Sequence, residues 1–562
     1  MKTLGLMMTD LRTSATGLPA RTSAELAGQS VLRRSVARAL AARSLANVAI
    51  LAPADQHDRI RQLLGELASA PRLLLAELPA DRRAAFGSFD PARVRLARRW
   101  SLAGWRGGIS GACWFDEMLA PVAMSDLARR EQADAVVLLS PDAVLLDAAL
   151  VDATVAQGEL VRELYRLAIS QAPPGLGAAC LGADLLAELA NAGQSVGRVL
   201  AYDPAARQND VATKEACVKL PIEAIACPHR FLADTARSFA LLEQLIARCG
   251  DSPTVAQSAS AANAIFEGQP ERWPAEIDFE LTTDRPVADS LRPSRAPVSA
   301  VEPPLVPIRG PVDDPTVERV CESLRSMAAD DIVVTLAGFG DPLLHPNVLA
   351  IAERLKTAGA LAVAVRTSGV GLTDDCIARL IDSAVDLVCV ELDAATRESY
   401  RALKSADCFD AVTAGMNKLL EARQRRNQPG PLLVAEMVKC PATLAEMEEF
   451  FDRWRLADEA HLAGLHEYGG QFRSPAGPGW PTCSPRRGPC RRIDRRMTVL
   501  ADGTVPICDI DFQAGRPIGR LAGHRLDEIW LGPEMSRLRR DHHQLNLADW
   551  PLCQACDQWN RP

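Results

Sequence analysis

Asp331-Ile332-Val333-Val334-Thr335-Leu336-Ala337-Gly338-Phe339-Gly340-Asp341-Pro342 is the stretch on which the fold of the second half of the chain turns. A short apolar, β-branched run predicts a buried strand at Ile332–Leu336, and the two glycines after it predict a tight exit. Glycines at a strand end also let backbone approach a ligand closely, and Asp341 can accept a hydrogen bond from an ammonium group. Gly338, Gly340, Asp341 and Pro342 therefore read either as a ligand-binding loop or as a compact βα turn. Working outward, further strands are expected at Ile277–Leu281, Leu361–Arg366, Leu387–Leu392 and Leu432–Met437. Helical stretches at Pro315–Ser326, Val348–Thr357, Asp374–Ile381 and Phe409–Ala422 fall between them. Parallel strands joined by helices make an α/β domain, placed at 271–475, that is either an open sheet or a barrel.

Upstream, Pro274, Pro286, Pro293, Pro297, Pro303, Pro304, Pro307 and Pro311 interrupt regular structure between Glu271 and Asp314, so a domain boundary is expected near 270. Within 1–270, strand-like Leu4–Met8, Val48–Leu51 and Ala135–Leu139 alternate with helix-like Ser30–Ala42, which predicts a mostly parallel sheet covered by helices. From 151 onward the pattern reads mainly helical, with Thr154–Ser170, Leu181–Ala192 and Leu232–Ala247 as candidates. Asp142, just past the third strand, stands where open α/β sheets bind ligands, although a turn or helix cap is the commoner use of an acid there.

The chain's 562 residues exceed one cooperative core, and 48% hydrophobic with 24% charged residues is the balance of a soluble globular protein. A net charge of -8 gives no general attraction to a polyanion, which argues against nucleic acid, although Arg486, Arg487, Arg491, Arg492, Arg495 and Arg496 could hold a small anion. No stretch approaches eighteen uninterrupted apolar residues, and Met1–Asp10 is too short for a secretory segment; we expect no membrane insertion and a cytoplasmic location. Of the fifteen cysteines, Cys321, Cys376 and Cys389 read as core thiols, and Cys217, Cys227, His229 and Cys249 lack the close pair of a metal site.

The tail, 476–562, is different. Seventeen residues separate Cys490 from Cys508, forty-four separate Cys508 from Cys553, and Cys556 completes a CxxC. Four thiolates suit a tetrahedral zinc or the four iron corners of a cubane. Asp502-Gly503 predicts a turn between Met497–Leu500 and Val505–Cys508, which would bring Cys508 toward Cys490. Cys483, in a proline-rich loop, reads as a loop cysteine.

With these residues in view, 277–562 resembles the radical S-adenosylmethionine superfamily fused to a SPASM-type module. Glu280-Leu281-Thr282-Thr283 resembles the family's first-strand segment, Gly338–Pro342 its GGEP motif with Phe339 and Asp341 substituted, Thr367-Ser368-Gly369 its TNG strand end, and Val390–Asp393 its S-[LI]-D segment. The resemblance implies a partial (β/α)6 barrel and one auxiliary 4Fe-4S cluster on Cys490, Cys508, Cys553 and Cys556. The family's CxxxCxxC ligands, however, correspond to Asp284, Ala288 and Leu291. Three such side chains cannot replace thiolates, which argues against ordinary radical catalysis with S-adenosylmethionine.

The first domain resembles nucleotidyltransferase and glycosyltransferase α/β domains through Leu11–Arg21, Leu26–Leu32 and Asp142, although Gly17 alone stands where a glycine-rich phosphate loop is usual. The combination resembles the spiro-SPASM proteins. The expected role is a non-radical accessory or scaffold protein, supporting a catalytically intact related enzyme or binding a peptide or small-molecule substrate, with the cluster stabilising the tail or passing electrons. The alternatives are a Mg2+-dependent nucleotidyl- or glycosyltransferase built on Asp142, and an S-adenosylmethionine-binding module built on Gly338–Pro342.

Overall fold

The computed structural model describes residues 1–78, 91–200, 215–266, 270–293, 306–477 and 486–560; Cys483, Pro297, Pro303 and Pro304 lie outside them. The chain divides into two compact units, Met1–Glu267 and Gly268–Pro562.

In the first unit the strands are β1 (Thr3–Met8), β2 (Leu45–Ala52), β3 (Leu73–Glu77), β4 (Ala135–Leu139), β5 (Leu167–Ser170), β6 (Ala179–Gly182) and β7 (Cys217–Val218). They form a seven-stranded sheet in the order β3-β2-β1-β4-β6-β5-β7. β1 pairs parallel with β2 and β4, while β6 runs antiparallel to both β4 and β5. The helix Val31–Ala41 begins where Ser30 Oγ accepts from the Arg33 amide, the cap expected from a serine before an apolar helical run. The expected helix at 154–170 is a correction. Helix Ala148–Leu160 ends early, and Leu167–Ser170 is a strand buried along its whole length. Leu181 likewise lies in a strand, Ala179–Gly182, rather than opening a helix, which starts at Ala183. Short apolar runs buried on both faces carry no alternation, so periodicity does not separate them from buried helix.

In the second unit the strands are β8 (Glu276–Phe279), β9 (Val333–Leu336), β10 (Ala362–Thr367), β11 (Leu387–Glu391), β12 (Leu432–Lys439), β13 (Glu459–Gly464) and β14 (Arg496–Val499). All neighbours in the order β13-β12-β11-β10-β9-β8-β14 are parallel. Helices Asp314–Met327, Asp374–Ile381 and Arg397–Lys404 start at Asp313, Thr373 and Thr396, whose side chains accept the first-turn amides. Two strands differ from the sequence reading. β13 was not expected. β14 comes from the tail and extends the sheet beside β8, with Glu276 opposite Arg496 and Phe279 opposite Val499. The Asp502-Gly503 turn is present, with the Leu500 amide donating to the Thr504 carbonyl at 2.9 Å. Its ladder, though, joins Thr504–Val505 to Gly519–Arg520. Met497, Thr498 and Val499 are buried, and a strand covered on both faces is better used completing the sheet than in an exposed hairpin. No helix of the described residues is long and apolar enough to cross a membrane.

Candidate functional site

Parallel strands direct their carboxyl ends to one side of the sheet, and in the second unit that side encloses a cavity of about 700 Å3. Its wall is a buried charge cage. Arg292 pairs with Asp393 at 2.5 Å, Glu436 at 2.8 Å, Asp289 at 3.2 Å and Glu391 at 3.2 Å. Lys404 Nζ donates to Asp289 at 2.7 Å and to Asp393 at 2.6 Å. Arg366 donates to Glu391 at 2.7 Å and also reaches Glu436, and Arg285 reaches Glu391. Four cations (Arg285, Arg292, Arg366, Lys404) therefore face four carboxylates (Asp289, Glu391, Asp393, Glu436). Burial would raise the Asp289 and Asp393 carboxyls, but Lys404 and Arg292 override it and hold both below the ordinary range.

Arg285, Asp289 and Arg292 stand at i, i+4 and i+7, the spacing of the family's cysteine loop one residue further along than Asp284, Ala288 and Leu291. The loop's three charged side chains point into the cage, while Asp284 is exposed and Leu291 packs with Leu403 and Cys440. No cysteine lies between Cys249 and Cys321, so this loop does not fit a thiolate-bound cluster. The cage was not anticipated from sequence; the i, i+4, i+7 charges beside strand-end acids were its only local signal.

The Gly338–Pro342 loop is held from within. A Cβ on Gly338, at φ +124, would stand 2.7 Å from the Glu280 side chain, and one on Gly340 would stand 2.1 Å from the Thr282 carbonyl oxygen. A left-handed backbone against the Glu280 side chain thus accounts for Gly338, and close approach to the Thr282 backbone accounts for Gly340. Asp341 is buried and accepts from the Thr367 hydroxyl at 2.8 Å, the Ser368 hydroxyl at 2.5 Å, and the Ser368 and Leu343 amides at 3.0 Å each. An ammonium ligand would have to displace these donors. Gly338 and Phe339 do line the cavity, and Phe339 packs edge-on against Phe512 with centroids 5.7 Å apart.

In the tail, Cys490, Cys508, Cys553 and Cys556 line one small cavity. Cys490 precedes the short helix leading into β14, Cys508 follows the 502–503 turn, and Cys553 and Cys556 sit in and just after helix Pro551–Ala555. Arg487 fixes the CxxC turn by donating to the carbonyls of Cys553 at 2.7 Å and Cys556 at 2.8 Å. Burial pushes the Cys553 thiol up to about 12 and Cys556 to about 11, so these sulfurs remain protonated unless a metal takes the proton's place. Among the described residues no group of three or more His, Cys, Asp or Glu is arranged to hold a single metal ion. Four thiols spread around a shared cavity suit a cubane better, because each sulfur then binds its own iron corner rather than a common ion. Cys376, read as a core thiol, is only half-buried, whereas Cys321 and Cys389 are buried.

Asp142 lies in the first unit with 4% of its surface exposed. Beside it Arg230 pairs with Asp234 at 2.5 Å and Glu117 at 2.6 Å. Among the described residues Asp142 Oδ1 has no hydrogen-bond partner. Burial, then the charge of Asp234, raises its carboxyl to about 8.

Residues 294–453 match the family model of the Radical SAM superfamily, and residues 490–557 match that of the SPASM iron-sulfur cluster-binding domain. The second unit belongs to the radical SAM/SPASM superfamily. An uncharacterized protein of Treponema pallidum is 24% identical to this chain over 316 residues, 51% of this chain and 79% of that protein. A probable GTP 3',8-cyclase of Metallosphaera sedula is 28% identical over 136 residues, 24% of this chain and 41% of the cyclase, so the likeness spans less than half of that enzyme. Among solved structures, Streptococcus suis SuiB bound to precursor peptide SuiA is 10% identical over 57% of this chain and 84% of its own, with a TM-score of 0.40. A cytidylyltransferase from Leptospira borgpetersenii is 14% identical over 47% of this chain and 92% of its own, with a TM-score of 0.31.

Proposed function

We propose that this radical SAM/SPASM chain is a non-radical accessory protein, cytoplasmic, that carries one auxiliary 4Fe-4S cluster on Cys490, Cys508, Cys553 and Cys556 and supports a partner enzyme. A bound cluster of this type supplies one-electron transfer. The observation that carries the reading is the charge cage: where initiation needs three thiolates and an open iron, the loop supplies Arg285, Asp289 and Arg292, each committed to ion pairs. Arg492 and Ile510 line both the cysteine cavity and the barrel cavity. This shared wall supports electron exchange between the tail and whatever peptide, small molecule or partner segment enters the barrel.

The test is anaerobic reconstitution of the full chain. About four irons and four sulfides per chain are expected, with no 5'-deoxyadenosine released from S-adenosylmethionine under dithionite. Eight irons, or stoichiometric deoxyadenosine, would sink the proposal. A second reading, a Mg2+-dependent nucleotidyl- or glycosyltransferase in the first unit, is favoured by the uncommitted Oδ1 of Asp142. Calorimetry with nucleoside triphosphates and nucleotide sugars, with and without Mg2+, separates the two readings.

A further inference from the structure

The four-cysteine cavity is ringed by N–H groups that have no acceptor among the described residues. Among the described residues, Arg487 Nε, Arg492 Nε and both ring nitrogens of His542 have no hydrogen-bond partner. All three side chains line the cavity together with the cysteines. His542 is 1% exposed, on the helix Pro533–His543 that precedes the CxxC segment.

The tips of both guanidinium groups are engaged elsewhere. That of Arg487 serves the Cys553 and Cys556 carbonyls, and Arg492 Nη1 serves Asp509 at 2.6 and 2.8 Å. Each arginine is thus held by its tip while its Nε stays uncommitted. Buried donors are nearly always paired in folded proteins, so three side chains that each aim an unpaired nitrogen at one cavity point to an acceptor that belongs there. Either neutral tautomer of His542 offers one N–H. The acceptor chemistry is already visible in the same wall, where the Gln558 amide donates to Cys556 Sγ at 3.2 Å.

We propose that Arg487, Arg492 and His542 are positioning residues that donate hydrogen bonds to the sulfurs of the cluster held by the four cysteines. The inference rests on the cluster reading above. N–H groups and guanidinium charge beside cluster sulfur stabilise the reduced, more negative form more than the oxidised form, and so raise the reduction potential. The chain would then carry a readily reduced cluster, suited to accepting an electron from a barrel-bound substrate or partner.

The test uses the full chain, reconstituted anaerobically and labelled with 15N-histidine, with pulsed EPR on the reduced cluster. A weak 15N coupling is expected in the parent and should be absent in His542→Phe. In a redox titration, His542→Phe and Arg487→Lys should each lower the reduced-to-oxidised ratio at fixed poise about tenfold, equivalent to 59 mV for one electron, with iron content retained. Full iron content without any histidine coupling overturns the inference and leaves the cluster reading intact. A strong coupling, the mark of a direct iron–nitrogen bond, also overturns it. If His542→Phe fails to take up iron, the parent spectrum and Arg487→Lys still decide. A chain with no labile sulfide overturns both the cluster reading and the inference.

Discussion

Lys404→Met puts the charge cage under the most direct strain. Lys404 is 1% exposed and its Nζ holds Asp289 and Asp393, themselves 1% and 0% exposed. The substitution keeps the apolar stem but leaves three cations against four carboxylates. Removing one partner of a buried ion pair costs about 3–5 kcal/mol, because the remaining charge is left uncompensated. With a urea slope of roughly 3 kcal/mol/M for a unit of this size, the unfolding midpoint of the second unit should fall by ~1–1.7 M. Pulse proteolysis in urea, with fragments of 268–562 identified by mass spectrometry, reads this unit separately from the first. The pH dependence has a definite sign. The parent holds Asp393 and Asp289 below their ordinary values, so their stabilising contribution is present above the unfolded carboxyl pKa and is lost as pH falls through the folded one. In the variant their pKa rises, so the deficit is largest near neutrality and shrinks as the pH falls and one carboxyl takes up a proton. Lys404→Met/Asp289→Asn restores three against three and should recover at least half of the loss. A deficit below about 1 kcal/mol, the range of a solvent-screened pair, that is also unchanged between pH 7 and pH 5, would refute the cage as a dry, coupled network.

Three other outcomes are expected. Cys553→Ala should abolish most iron uptake and make the chain after Cys490 sensitive to protease, because ligation ties a chain end that otherwise frays; iron retained at the parent level would refute the ligand assignment. Asp341→Asn should destabilise the second unit by about 1–3 kcal/mol in urea unfolding, since donors from Thr367, Ser368 and Leu343 lose a charged acceptor; equilibrium dialysis with labelled S-adenosylmethionine then separates a packing role from a binding one. The Asp142 carboxyl, raised to about 8, weakens the first unit as pH rises from the unfolded value through 8. Asp142→Asn should remove that decline in a thermal-shift series from pH 5 to 9, and an unchanged decline would show that another group causes it.

The sequence by itself determined whatever is local. The runs at Ile332–Leu336, Leu361–Arg366 and Leu387–Leu392 became β9, β10 and β11 with ends moved by a residue or so, because short β-branched stretches bounded by turns have few other uses. The CxxC at Cys553 and Cys556 marked the tail, because two thiols in one turn converge without help from the rest of the chain. Other elements were undecided until the chain closed on itself. Leu167–Ser170 reads as helix or strand with equal ease when both faces are buried, and Arg496–Val499 joins β8 across 220 residues of sequence. The cage was hidden for the same reason. Arg292 meets Asp393 101 residues away and Glu436 144 residues away, and Lys404 meets Asp289 115 residues away. Charges that look like an ordinary solvated scatter along the chain become a neutral buried network only when parallel strands bring their carboxyl ends to one side. The uncommitted N–H groups of Arg487, Arg492 and His542 belong to the same class. Whether a donor lacks an acceptor depends on everything packed around it, and only the tertiary structure supplies those surroundings.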